Sequence, residues 1–143
     1  MSVSQRILNR AALLVLAICL SLPALAQDPA PKAVISIYHV APGKQLDFLK
    51  WMAAREALDK EAGVTATQWY VHLTGDSWDY VGISPDIDDA TADKVDAMAR
   101  ERGLTAGPQA SIEFRTMVAS HTDTIAIGPR TAAELLQSAT GGQ

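Results

Sequence analysis

Hydrophobic and polar positions follow two periods along this chain, and together they predict the order of its elements. Segments that alternate every second residue and are rich in β-branched or aromatic side chains predict strands; these are 33–40, 65–73, 77–83 and 110–121. Apolar positions three to four residues apart predict helices over 44–62 and about 90–102, each ended by a glycine, Gly63 or Gly103. Thr131 and Glu134 form the pattern of a capping box, which predicts a short last helix through Gln137.

The resulting order, β-α-β-β-α-β, predicts a ferredoxin-like α+β fold. Right-handed crossovers place both helices on one face of a four-stranded antiparallel sheet. We expect residues 33–121 to form this domain. Residues 122–143 are expected to be a C-terminal extension with the short helix.

Side chains alternate between the two faces of a strand, so the residues expected on each face of the sheet can be listed from the sequence. One set is almost wholly apolar and is predicted to meet the helices: Ile35, Ile37, Trp69, Val71, Leu73, Val81, Ile83, Ile112, Phe114 and Val118. The other set mixes aromatic rings with polar groups: Ser36, Tyr38, Gln68, Tyr70, His72, Trp78, Tyr80, Glu113, Arg115, Met117 and His121. This second face is typical of a lined cavity or a partner surface. The alternative is an ordinary solvated face with stabilising cross-strand pairs.

The residues that could take part in binding or catalysis are expected on this second, polar-aromatic face. His72 or His121 is placed as a general base, and Tyr38, Tyr70, Trp78 and Tyr80 as walls of a ligand site. Arg115 is placed as an anchor for an anionic group, with pairing to Glu113 as the alternative. A histidine near a strand end is also commonly only hydrogen-bonded and partly exposed.

Metal binding has little support in the spacing of possible ligands. His121 and Asp123 either share a metal or place Asp123 to orient the imidazole, but a zinc site needs a third or fourth ligand. The aspartates between 86 and 96 lack the glycine and distal glutamate of a calcium loop. We therefore expect no metal and no cofactor, with haem at His121 as an outside alternative.

The first 26 residues have the features of a removable export signal. Arg6 and Arg10 precede an apolar run of about a dozen residues, and Ala24-Leu25-Ala26 forms a small-x-small cleavage site. The run is shorter than the ~20 residues that span a bilayer. We expect cleavage before Gln27, a flexible leader over 27–32, no stable membrane anchor, and a periplasmic or secreted location.

Charge and cysteine content narrow the possible functions. The chain of 143 residues has a formal net charge of −4, which becomes −6 once Arg6 and Arg10 are removed with the signal. An acidic domain without basic clusters is a poor binder of nucleic acid. Cys19, the single cysteine, lies in the apolar run, so the mature protein would have neither a disulfide nor a thiolate nucleophile.

The element order, the first helix following His39-Val-Ala-Pro-Gly-Lys44, and the polar-aromatic face resemble the dimeric α+β barrel superfamily. This group includes antibiotic-biosynthesis monooxygenase-like and NIPSNAP-like proteins. The resemblance covers about residues 33–121 and is one of layout. It implies a homodimer whose two sheets pack face to face, with a cleft inside the barrel or between sheet and helices. Members include cofactor-free oxygenases, haem-degrading enzymes and proteins without known activity.

Two functional hypotheses follow. The first is an exported dimeric protein that binds a small molecule, with or without cofactor-independent monooxygenase-like activity. The second is a non-catalytic periplasmic module whose sheet face only dimerises. The export signal distinguishes this chain from the mostly cytoplasmic members of the superfamily.

Overall fold

A computed structural model describes residues 31–141. The expected export signal at 1–26 and residues 27–30 of the expected leader lie outside this range. Within residues 31–141, four strands and four helices follow one another: β1 (Lys32–Val40), α1 (Gln45–Ala62), β2 (Gln68–Val71), β3 (Tyr80–Pro85), α2 (Asp89–Glu101), α3 (Pro108–Arg115), β4 (Val118–Ile127) and α4 (Ala132–Thr140).

The strands form one antiparallel sheet in the order β2-β3-β1-β4. The central strand β1 pairs with β3 on one side and β4 on the other, so that Ile37 lies opposite both Val81 and Thr122. This order is that of the ferredoxin-like fold, which confirms the fold class predicted from the sequence.

The helix ends follow the local signals in the sequence. Gly63 ends α1 in the left-handed conformation, at φ 90°, and its N–H bonds back to the helix. Asp88 caps α2 by accepting from the Thr91 N–H at 2.8 Å. At α4, Thr131 and Glu134 form both hydrogen bonds of the capping box.

The predicted fourth strand over 110–121 is correct only over its last residues, 118–121. Residues 108–115 form the helix α3, whose first residue is Pro108. The strand β4 runs from Val118 to Ile127. Proline is well suited to the first turn of a helix, where its missing N–H has no intrahelical partner anyway. Ile112 and Phe114 alternate as in a strand, but on α3 they lie on nearly opposite sides, with Ile112 exposed and Phe114 packed against the core. So short an apolar segment does not decide between strand and helix by its periodicity.

The core lies between the sheet and α1. Phe48 has no exposed surface and forms a cluster with Val40 and Met117. Its ring is 5.2 Å from that of Tyr38 and stacks on Tyr80 at 5.5 Å between centroids. α2 packs against α1, where Leu58 and Ala99 are also fully buried.

The predicted assignment of the two faces is also wrong for β1 and β3. Tyr38 and Tyr80, expected on the face away from the helices, pack against Phe48 of α1. The apolar residues Ile35, Ile37 and Ile83 therefore lie on the opposite, open face. The physical reason is that Ser36 and Tyr38 find polar and aromatic partners under the helices, which removes the cost of burying them.

The two faces of β2 are as predicted, but its helix-facing residues lie beside Ser36 and Tyr38 of the sheet and not beside Ile35 and Ile37. Trp69 is paired with Gly82, which is paired with Ser36, so Trp69 shares the helix-facing side with Tyr38. Its indole Nε1 donates to Glu56 of α1 at 2.6 Å. Alternation within one strand does not fix its register against the next strand, and a slip of one residue exchanges the faces.

No helix among residues 31–141 is long and apolar enough to cross a membrane.

Replacing Phe48 by alanine removes the centre of the core. We expect the Phe48→Ala variant to lose about 3–5 kcal/mol of unfolding free energy, because a fully buried ring is deleted and leaves a cavity. Urea denaturation followed by circular dichroism measures this change. The neighbouring Leu49→Ala variant is the control: Leu49 is 42% exposed, so its loss is expected to be about 0.5 kcal/mol or less. Equal losses in the two variants would contradict the placement of the core.

Candidate functional site

A cleft of about 390 Å³ opens between the sheet, α1 and α3, beside the edge strand β4. Three elements supply its aromatic and apolar wall, and β4 supplies polar groups. Its lining residues are Tyr38, Trp51, Met52, Arg55, Ala110, Ser111, Phe114, His121 and Asp123. The cleft thus combines apolar area with a few convergent polar groups, as small-molecule sites commonly do.

Strand register builds a row of polar side chains at the sheet side of this cleft. Ser36 lies opposite Asp123, and Tyr38 lies opposite His121, in the antiparallel pair of β1 and β4. Ser36 Oγ donates to Asp123 Oδ1 at 2.7 Å, and His121 Nε2 lies 3.4 Å from Asp123 Oδ2. Ser36 is buried, so Asp123 also satisfies a hydroxyl that would otherwise lack a partner.

The imidazole of His121 lies between two aromatic rings. Tyr38 is nearly parallel to it, with an interplanar angle of 18° and centroids 6.4 Å apart. Phe114 of α3 meets it edge-on at 5.0 Å. The rings and Asp123 together restrict the orientation of the imidazole.

The phenol of Tyr38 is held in its neutral form. Burial raises the pKa of Tyr38 above its ordinary value of 10.0; the adjacent Ser36 hydroxyl lowers it and the charge of Asp123 raises it. The Tyr38 hydroxyl is therefore a hydrogen-bond donor or acceptor throughout the physiological range.

The helical wall of the cleft is fixed by a second polar network. Trp51 Nε1 donates to Glu113 Oε2 at 3.0 Å, and Thr105 also donates to that oxygen. These two hydrogen bonds, that of Thr105 first, lower the pKa of Glu113. Arg55 lies over the Trp51 ring, 4.6 Å from its centroid, and donates to Thr105 Oγ1 at 2.8 Å.

Trp51 and Arg55 also separate the cleft from a second, more polar cavity of about 490 Å³. That cavity is lined by Lys44, Lys50 and Glu113 among others. Trp51 and Arg55 therefore line both cavities.

The chemistry available in the cleft is proton transfer. A carboxylate beside Nε2 of His121 favours the tautomer with the proton on that nitrogen and leaves Nδ1 as the basic atom. This arrangement corresponds to the alternative in which Asp123 orients the imidazole. Within residues 31–141 no group of three or more His, Cys, Asp or Glu side chains is arranged to hold a metal ion.

The residues proposed from the sequence are brought together only in part. Tyr38 and His121 meet in the cleft. Tyr80 shares their side of the sheet, where it stacks on Phe48 in the core. Tyr70 lies on the open face and is half exposed.

His72, Trp78 and Arg115 lie elsewhere. The rings of His72 and Trp78 pack against each other in the connection between β2 and β3, with centroids 5.2 Å apart and an interplanar angle of 52°. The Nε2 atom of His72 is buried, without a hydrogen-bond partner among the described residues. Arg115 is the last residue of α3 and is exposed, so it does not share a strand with Glu113 as predicted.

Sequence analysis missed the wall residues Trp51, Met52, Arg55 and Phe114 as members of a site. Trp51 and Arg55 are four residues apart on α1, and this spacing places side chains on the same helix face. The sequence alone could therefore have indicated that Trp51 and Arg55 line the same surface. Phe114 was hidden by the wrong assignment of α3 to a strand.

The open face carries a further cavity of about 380 Å³, which is mainly apolar. Ile35, Tyr70 and Ile83 of the sheet line it together with Leu135 of α4. Leu135 and Leu136 are both exposed in the monomer. The open face and α4 thus present apolar surface on the same side of the molecule.

Comparison with known proteins gives two distant structural likenesses. No protein-family model matches the chain, and no curated protein matches it significantly. A dimeric protein of unknown function and ferredoxin-like fold from Bacteroides fragilis NCTC 9343 is 14% identical with a TM-score of 0.40, covering 68% of this chain and 95% of the other. An uncharacterized NIPSNAP domain protein from Burkholderia xenovorans is 16% identical with a TM-score of 0.44, covering 71% of this chain and 97% of the other.

Both structures share only a distant likeness with this chain. At such identities and TM-scores they assign neither a family membership nor an activity to this chain.

Proposed function

We propose that the protein binds a small planar molecule in the cleft and that His121 acts there as a general base. One observation carries the proposal: the Ser36–Asp123–His121 row lies at the sheet side of a cleft whose other walls are aromatic. Aromatic walls suit a planar ligand, and an oriented imidazole suits the removal of an acidic proton.

The proposed step is proton transfer from an acidic C–H or O–H group of the ligand to Nδ1 of His121. Asp123 stabilises the imidazolium that forms, because its carboxylate lies 3.4 Å from Nε2. The neutral Tyr38 hydroxyl is suited to donate to the enolate or phenolate oxygen that develops. Cofactor-independent oxygenation starts with the same proton removal, and a monooxygenase-like activity with dioxygen as oxidant is the finer form of the proposal.

We also propose that the protein is a homodimer that pairs through the open face. The supporting observation is the apolar surface of Ile35, Ile37, Ile83 and Tyr70, next to the exposed leucines of α4. Monomeric soluble proteins rarely expose contiguous apolar patches of this kind, and a twofold dimer is the commonest way to cover them. A non-catalytic module that only dimerises is the competing function, and it requires this face but not the cleft.

Export remains the third part of the proposal. Its support is the sequence pattern of residues 1–26, with a basic start, a short apolar run and an A-x-A site.

Loss of the base tests the cleft function. In deuterium oxide, the wild-type protein is expected to accelerate exchange of the acidic C–H protons of an aryl ketone such as α-tetralone, measured by proton NMR. The His121→Gln variant is expected to lose this acceleration by about 10²- to 10⁴-fold, since a general base typically contributes that much.

The matched control is His72→Gln, the same substitution at the histidine in the β2–β3 connection. It is expected to retain wild-type exchange, because His72 does not line the cleft. Equal loss in both variants, or exchange unaffected by His121→Gln, would refute the role of His121. Absence of exchange in a protein that still dimerises would favour the structural module.

Charge on the open face tests the dimer. We expect the Ile37→Arg variant to be monomeric by analytical ultracentrifugation at concentrations where the wild type is dimeric, because each copy would bury an unpaired guanidinium in the interface. Leu46→Arg is the control, since Leu46 is exposed on α1 away from this face. A monomeric wild type, or a dimer indifferent to Ile37→Arg, would contradict this mode of association.

Expression of the full-length chain in a Gram-negative host tests export. The periplasmic fraction is expected to contain protein that begins at Gln27, as read from its intact mass. Full-length protein found in the cytoplasm would contradict cleavage at this site.

A further inference from the structure

Arg55 is a cation on the wall of the cleft that lacks a carboxylate partner within residues 31–141. One guanidinium nitrogen, Nη2, donates a hydrogen bond to Thr105 Oγ1. The ion pairs of the described residues involve other side chains. A guanidinium has five N–H donors in a planar fork, so most of the donor capacity of Arg55 remains open.

The carboxylates near Arg55 have other partners or environments. Glu113 accepts from Thr105 and Trp51, and the charge of Arg55 is the last contribution to its lowered pKa. Asp59 has a raised pKa, caused first by burial and then by Glu56, and Arg55 only partly offsets this. Arg55 therefore acts on both groups at a distance and is within ion-pair range of neither.

The position of Arg55 is fixed before any ligand arrives. Its guanidinium lies on the Trp51 ring, and Trp51 is in turn held by Glu113. A stacked, half-buried guanidinium loses little conformational freedom when it binds an anion, which is the arrangement that favours carboxylate recognition.

We propose that Arg55 binds the carboxylate of the ligand, so that the cleft is selective for small planar carboxylic acids. This inference rests on the proposed function of the cleft and names its substrate class. The cleft is lined by two side chains of opposite charge from different elements, Arg55 on α1 and Asp123 on β4. A ligand carboxylate is attracted by the first and repelled by the second, which orients the acidic proton of the ligand toward His121.

A pair of ligands that differ only in charge tests the proposal. The probes are 1-naphthoate and its neutral amide, 1-naphthamide, titrated by isothermal calorimetry at pH 7 on the full mature chain. The wild type is expected to bind the acid at least about tenfold more tightly than the amide, because a charge-assisted pair is added. The Arg55→Gln variant is expected to lose about tenfold to a hundredfold for naphthoate and to bind naphthamide within about twofold of wild type.

Two further variants separate recognition from structure. Arg55→Lys keeps the charge but loses the planar fork, so it is expected to recover part of the affinity for naphthoate. Arg115→Gln makes the same change at the exposed arginine on α3 that the sequence suggested as the anion anchor, and it is expected to alter neither affinity.

The outcomes divide as follows. Equal weakening of both ligands by Arg55→Gln would overturn the proposal, since Arg55 would then only support the wall. A wild type that binds both ligands equally well would overturn the selectivity for acids and leave the cleft function intact. A wild type that binds neither ligand would overturn the cleft function together with the role of Arg55.

Discussion

The pairing of β1 with β4 is the constraint on which the rest of the site depends. It places Ser36 opposite Asp123 and Tyr38 opposite His121, and both pairs face the helices. Ser36 is the buried member of this row, and its hydroxyl would be costly to bury without the hydrogen bond that it donates to Asp123. His121 and Asp123 are exposed toward the cleft, where Asp123 lies beside the imidazole and the rings of Tyr38 and Phe114 flank it. A shift of β4 by one residue would turn His121 and Asp123 toward the open face.

The two faces of the sheet consequently differ in their chemical character. The side under α1 and α3 contains both the packed core around Phe48 and the cleft, where the core gives way to polar groups. The open side is apolar along β1 and β3 and adjoins α4, as expected of a surface that is covered in an assembly. Binding and association are in this view assigned to opposite faces, so that one can be altered by substitution without the other.

Local patterns in the sequence predict the helix ends well, because caps and glycine stops act within a few residues. Asp88, Gly63 and the Thr131–Glu134 box all lie where the chain indicates. The faces could not be predicted in the same way, since hydrophobicity alone suggested that Ile35 and Ile37 meet the helices. Of the proposed site residues, Tyr38 and His121 converge, whereas His72 and Tyr70 are separated by register and by the end of β2. Arg55 had no signal of its own except its spacing from Trp51.

The most direct test of the central claim is to map where a planar ligand binds. Proton–nitrogen correlation spectra of the isotope-labelled protein, titrated with 1-naphthoate, report this residue by residue. The account predicts shifts concentrated at the amides of Tyr38, Phe114 and His121, around the cleft. Shifts concentrated instead at Ile35, Ile83 and Leu135 would place binding in the open-face cavity and contradict the assignment of the cleft.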